Sequence, residues 1–314
     1  MDDNTPKTTG LNDQLEVYEV VKIPSLARLT IRELVNDKLA LVSLFIIVSI
    51  FIMVVLGSFF IGTTTATRID IWNVFAAPSW TAAGDSDANL LLGTEGGGRN
   101  VFYLLVIGAR NSLIIGLVVA TVALTVGFVV GIFSGFYGGH FDNVVMRLMD
   151  TFGMLPGLLV QMMLIQQLDR TIVNLIFVLS IFAWMGTARS IRNITLSVRN
   201  QDYIHASKAM GTSNIVIMFR EVVPNIMPVL APSVVLGIAG TIGVEAGLAL
   251  LGFGLPIGTP SIGTLIQNAT VFANLQFRWW TWAPAIGLLF LISVSLNFVG
   301  QVISRVADPR QRRV

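Results

Sequence analysis

Between Lys38 and Arg68 lie 29 residues without a charge, among them the continuous apolar run LALVSLFIIVSIFIMVVLGSFFIG. About 20 apolar residues suffice to cross the hydrocarbon core of a bilayer, and a charge left at its centre costs a few kcal/mol or more. The run therefore predicts a membrane-spanning helix, and the uncharged gap between Arg110 and Asp142 predicts a second. Two shorter gaps, 151–168 and 171–188, stand back to back around Asp169 and Arg170, which reads as a tight turn between a third and a fourth span. Residues 228–251, interrupted only by Glu245, make a fifth, and 279–304 a sixth. The expected fold class is all-α: a polytopic membrane protein with six transmembrane helices.

The segments between the spans divide the chain. Residues 1–38 form a tail, polar over the first 20 and amphipathic from 23 to 38, where the chain can lie along a membrane surface. No apolar h-region precedes the first span (39–62), so no cleavable signal peptide is expected and that span stays as an anchor. An extracytoplasmic loop, 63–103, leads into a core of five further spans, 104–304, with an inner loop at 189–226, a Gly- and Pro-rich outer loop at 252–278 and a short tail at 305–314.

Composition sharpens this picture. Hydrophobic residues make up 54% of the 314 and charged ones only 12%, against about 25% in an ordinary soluble domain. Mean hydropathy is +0.76. A net charge of +2 argues against a nucleic-acid partner, and the absence of cysteine excludes disulfides and thiol chemistry. The placement of charge is more informative. With the N-terminus cytoplasmic, fifteen Lys and Arg fall on inner segments, against Arg68, Arg99, Arg110, Arg170 and Arg278 outside, which favours both termini inside. Trp279, Trp280 and Trp282 then fall at the outer interface, as an aromatic belt.

Chemistry is sparse. Glu245 is essentially the one ionisable residue within a span; a structural role, paired with backbone or another helix, is the first reading and a pore-facing role the second. His140 and His205 stand 65 residues apart without further ligands, so no metal site is expected, and no catalytic residues stand out. There is no GxxxxGK[ST] loop, so any ATP must be handled by a partner. The run Gly96-Gly97-Gly98 reads as a flexible outer turn. Glycines within the spans (Gly116, Gly127, Gly131, Gly237, Gly240, Gly243, Gly247) are expected to let helices pack closely.

The inner loop carries more pattern than a connector needs. Asp202 is placed to cap a short helix on which Tyr203, Ala206, Ser207 and Met210 share a face, with Lys208 on the opposite, exposed side, and Gly211 stands where a left-handed residue ends it. Ser213 is placed to cap a second helix with an apolar face of Ile215, Val216, Phe219, Val222 and Val223, which Pro224 is expected to end. A helix–turn–helix held under the bilayer in this way makes a rigid knob for a cytoplasmic partner.

The stretch Tyr203-Ile204-His205-Ala206-Ser207-Lys208-Ala209-Met210-Gly211, with Pro224 thirteen residues after Gly211, resembles the coupling-loop motif (EAA, then Gly, then Pro) of bacterial ABC importer permeases. His205 stands where the motif has Glu, Ser207 where it has its second Ala, and Glu221 and Val223 where it has an apolar pair. Leu92-Gly93-Thr94-Glu95, Gly98-Arg99-Asn100 and Gly108-Ala109-Arg110-Asn111-Ser112-Leu113 are similar to the entry to the core in the C-type permease subunit of oligopeptide and dipeptide importers. So are Glu245-Ala246-Gly247-Leu248-Ala249-Leu250-Leu251-Gly252-Phe253-Gly254, Pro260-Ser261-Ile262-Gly263 and Ala307-Asp308-Pro309-Arg310, in the same order and spacing.

This resemblance implies the type I ABC importer permease fold in a bacterial plasma membrane. It implies a heterodimer with a second permease subunit, two cytoplasmic ATP-binding subunits that hold ATP and Mg, and an extracytoplasmic peptide-binding protein; this chain itself would bind no cofactor. Tyr203, Ile204, His205, Ala206, Ser207, Met210 and Gly211 would make the helix that couples to the ATPase. A path for peptides should be mostly apolar with scattered polar groups, for which Thr121, Thr125, Ser180, Ser233, Thr241 and Glu245 are the candidates. Importers of nickel or another small solute look similar at this level, and an ATP-independent secondary transporter is the reading from a different class.

Overall fold

A computed structural model describes residues 26–81, 90–256 and 258–307. The polar stretch 1–20 and the motif residues Asp308, Pro309 and Arg310 lie outside them. Among the described residues the regular structure is all helical, apart from an isolated bridge between Thr94 and Asn100. Five helices are long and apolar enough to cross a membrane: α2 (Lys38–Phe60), α4 (Val101–Tyr137), α7 (Ile172–Arg199), α10 (Val223–Leu250) and α13 (Ala283–Ala307). Short helices α1 (Leu26–Asn36), α3 (Thr63–Ala66), α8 (Asp202–Ala209), α9 (Asn214–Ile217), α11 (Ile262–Ile266) and α12 (Phe272–Phe277) fill the connections.

The third span departs from the expected single helix over 151–168. It is a pair, α5 (Gly139–Gly153) and α6 (Gly157–Gln167), bent by 80°. Pro156 lacks the N–H that would continue α5, and Asp142, Arg147 and Asp150 make α5 amphipathic, so only α6 is apolar enough to lie within the layer. The fourth span outruns its expected end at 188 because nothing in 189–199 breaks a helix. The second begins at Val101, ahead of Arg110, where the Asn100 side chain accepts from the Phe102 N–H at 2.9 Å.

The fifth span corrects the reading of Pro224. α10 runs on through that proline, which stands two residues after a π-helical segment, so it ends nothing. One continuous helical path runs from Asn214 through a π-helical segment, Met218–Val222, to Leu250, with Pro228 and Pro232 inside it.

Close approach of backbones organises the bundle. Gly127, Gly131 and Gly135, four residues apart on α4, lie against α7: a Cβ on Gly131 would stand 2.6 Å from the Ala188 carbonyl oxygen, and one on Gly135 2.7 Å from that of Arg192. Gly116 packs likewise on Ile238 and Ile242 of α10. Gly240, Gly243 and Gly247 do not behave as expected: around them is open space. At the end of the bundle where α13 finishes, α1 rests on it through Leu34, Val299 and Val302. The Asp37 carboxylate accepts from the Leu39 N–H and takes a hydrogen bond from Arg305 at 2.6 Å. That bond from Arg305 holds the Asp37 carboxyl below the usual carboxylate range.

The outer loop is a knot rather than a flexible turn. Gly98 sits at φ +68° with the Asp70 carbonyl so near that a Cβ would overlap it, and Glu95 and Arg99 form a buried ion pair. The tryptophans are more than a belt: the Trp280 indole donates to the Thr94 carbonyl at 3.1 Å and that of Trp282 to the Asn274 carbonyl at 3.1 Å, tying loop to helix.

Candidate functional site

Two regions hold the candidate residues. The first is the segment that follows α7. Gln201, rather than Asp202, occupies the cap position of α8, and Asp202 is the first helical residue. Ile204 is fully buried among Ile217, Met218, Val222 and Ile226, so it anchors the helix instead of facing a partner. The Ser207 hydroxyl donates to Glu221 Oε1 at 2.7 Å, and the Asn225 amide donates to the Tyr203 hydroxyl at 3.1 Å. Burial and the nearby Glu221 charge push the Tyr203 phenol above its ordinary value. Lys208 is not a free surface charge: its ammonium lies 5.1 Å from the centre of the Phe136 ring at the end of α4. Four inward ties therefore hold α8.

Outward, Tyr203, His205, Ala206 and Met210 are exposed, Met210 at 77%. Gly211 adopts φ +82°, the left-handed conformation its position requires, and beyond the turn it makes, Ile215 and Val216 of α9 and Phe219 of the π-helical segment are exposed as well. Of the expected apolar face only Val222 is fully buried.

Just above this segment lies a cluster not foreseen from the sequence. Arg192 grips both oxygens of Asp142, each at 2.5 Å, and the Ser134 hydroxyl donates to the same carboxylate. Arg199 donates to the Phe136 carbonyl at 2.9 Å. The signal was the Gly127, Gly131, Gly135 spacing, which sets α4 against α7 and so brings together charges fifty residues apart.

The second region is a cavity of about 330 Å³ between α4, α6, α7 and α10. Ser233 and Thr241 line it, with Thr187 and Gln161, and no ionisable side chain reaches it. Thr121 and Thr125 do not: both lie on the exposed face of α4 and donate to carbonyls one turn back, each at 2.8 Å. Ser180 is buried in α7 with its hydroxyl unpartnered, away from the cavity lining. Glu245 is also off the cavity, with 0% exposure. Its carboxylate takes hydroxyl hydrogen bonds from Ser261 at 2.6 Å and Ser112 at 3.1 Å, and the Ser112 oxygen in turn accepts from the Ile262 N–H at 3.0 Å. The pore-facing reading of Glu245 yields to the structural one, a joint between α4, α10 and the start of α11. Among the described residues no group of three or more His, Asp or Glu could hold a metal ion.

Comparison with known proteins adds the following. A family described as "Binding-protein-dependent transport system inner membrane component" matches residues 127–313, and one described as "N-terminal TM domain of oligopeptide transport permease C" matches residues 25–78. The chain is 39% identical to the oligopeptide transport system permease protein OppC of Lactococcus lactis subsp. cremoris over 89% of its own length and 93% of that protein's. It is 31% identical to the OppC protein of Bacillus subtilis, covering 88% of each chain. It is 30% identical to the dipeptide transport system permease protein DppC of the same species, over 90% of this chain and 85% of the relative.

Proposed function

The chain belongs to the binding-protein-dependent transport system inner membrane components, and from that premise we propose that it is one permease subunit of an ATP-driven importer of small peptides. In this reading a second permease subunit completes the translocation path. Two cytoplasmic ATPase subunits bind ATP and Mg, and an extracytoplasmic binding protein delivers the peptide. The chain itself is no enzyme and needs no cofactor, since it carries no phosphate-cradling loop. Both termini face the cytoplasm.

The observation that carries the proposal is the split character of α8. One face is locked to the bundle through Ile204, Ser207 and Lys208, and the other offers Tyr203, Ala206 and Met210 with Ile215 and Phe219 of the adjoining helix. Several large apolar side chains exposed close together in sequence, on an element held rigidly from behind, support a protein–protein contact. Movement of an ATPase pair gripping this surface would pass into α10 without a break, because α9, the π-helical segment and α10 are continuous. The bundle would then alternate between inward and outward openings. An ion-coupled carrier would need an ionisable group on its path, and the cavity lining holds none.

The purified chain alone should hydrolyse no ATP, and hydrolysis stimulated by peptide-loaded binding protein should appear only with the ATPase subunits present. Hydrolysis by the isolated chain, free of partner by mass spectrometry, would refute the proposal. For the topology, single cysteines at Ser213 and Gln276 in this cysteine-free chain should label oppositely from outside, Gln276→Cys readily and Ser213→Cys only after permeabilisation.

A further inference from the structure

Gln161 is a polar residue in an apolar helix, within the run Leu158-Leu159-Val160-Gln161-Met162-Met163-Leu164 of α6. It is 7% exposed, it lines the cavity between α4, α7 and α10, and its amide makes no hydrogen bond to any described residue. Neither oxygen nor nitrogen is sealed by packing, so the group opens onto the cavity space. The hydroxyl residues Thr187, Ser233 and Thr241 line the same cavity; the Thr241 hydroxyl proton is committed to the Gly237 carbonyl, which leaves its oxygen able only to accept.

Resting on the peptide-import reading above, we infer that Gln161 is the group that holds the main chain of the passing peptide. A side-chain amide carries both a donor and an acceptor, the complement of a peptide unit, and it pairs with that unit whatever side chain is attached. The surrounding wall carries no charge, so the net charge of the peptide goes unread at this point.

The test uses the whole importer in proteoliposomes: both permeases, the ATPase subunits and the binding protein. Its probes are tetra-alanine, its main-chain N-methylated analogue, and tetrapeptides containing Lys or Glu. Gln161→Leu should slow tetra-alanine uptake about five- to ten-fold, the effect of one hydrogen bond, while ATP hydrolysis stimulated by the loaded binding protein stays near wild type. The wild-type preference for tetra-alanine over the N-methylated analogue should shrink by the same factor. Gln161→Glu keeps the size and should create a preference of about ten-fold for the Lys peptide over the Glu peptide.

Wild-type rates and selectivity in both variants would overturn the inference. So would loss of hydrolysis in step with uptake, which would assign Gln161 to packing. A wild-type importer that carries a different solute and no peptide would instead remove the reading on which the inference rests.

Discussion

At one end of the bundle, polar groups are spent inward. Glu245 binds Ser112 and Ser261, Asn111 donates to the Pro260 carbonyl, and Trp280 closes on Thr94, so that loop and helices form one joint. At the other end, α8 is held by one buried isoleucine, one hydroxyl, one ammonium over a ring and a tyrosine bond, and its other face is left uncovered. The first region is complete within the chain. The second leaves a face open, and on the function proposed above losses there should show in coupling rather than in folding.

Four substitutions would break or sharpen that contrast. Glu245→Leu should be the most damaging, because it orphans the hydroxyl protons of Ser112 and Ser261 in the core at roughly 1–3 kcal/mol each. The detergent-solubilised protein should melt at a clearly lower temperature and transport little, with Glu245→Gln in between; an unchanged Tm for Glu245→Leu would show that the joint carries no load. Ala206→Arg should leave the amount in the membrane and the Tm near wild type yet abolish transport and weaken ATPase co-purification, since a guanidinium cannot be desolvated cheaply in an apolar groove. Full transport with the ATPase firmly bound would remove the coupling role of α8.

Gly211→Val should act less strongly. Open space surrounds the glycine, so the change meets no clash, but a β-branched residue at φ +82° is strained by about 1 kcal/mol or more. Uptake should fall several-fold as α8 is misaimed, whereas Gly211→Asn, which tolerates that conformation, should recover most of it. Lys208→Ala should be the mildest, removing a cation–ring contact of about 0.5–1 kcal/mol and lowering uptake by two-fold at most. An effect as large as that of Ala206→Arg would place Lys208 on the partner side.

Much of this contrast was legible in the residues. The uncharged gaps located the apolar helices, and Gly211 announced its turn, because both signals are local. The third span was misread since length and apolarity alone cannot see that Gly153 and Pro156 divide a helix whose first half is amphipathic. Pro224 misled because a proline does not always end a helix: the path runs on through it, just after the π-helical segment, as it does through Pro228 and Pro232. Ile204 and Lys208 belonged to the same motif as their exposed neighbours, and only packing against Phe136 and the π-helical segment separates inner from outer face. Asp142 and Arg192, or Glu245 and Ser112, meet across fifty and more residues of sequence, where periodicity holds no information on distance.

The unbroken helical path from Asn214 to Leu250 has a mechanical consequence. Pro228 and Pro232, each lacking a backbone donor, soften it near its middle and leave arms of about 21 Å and 27 Å on either side at 1.5 Å per residue. A soft point so placed lets the two arms change their angle to each other instead of moving as one rod. Through Glu245 the far arm is tied to the Ser261 segment, so a change in that angle would carry this segment with it.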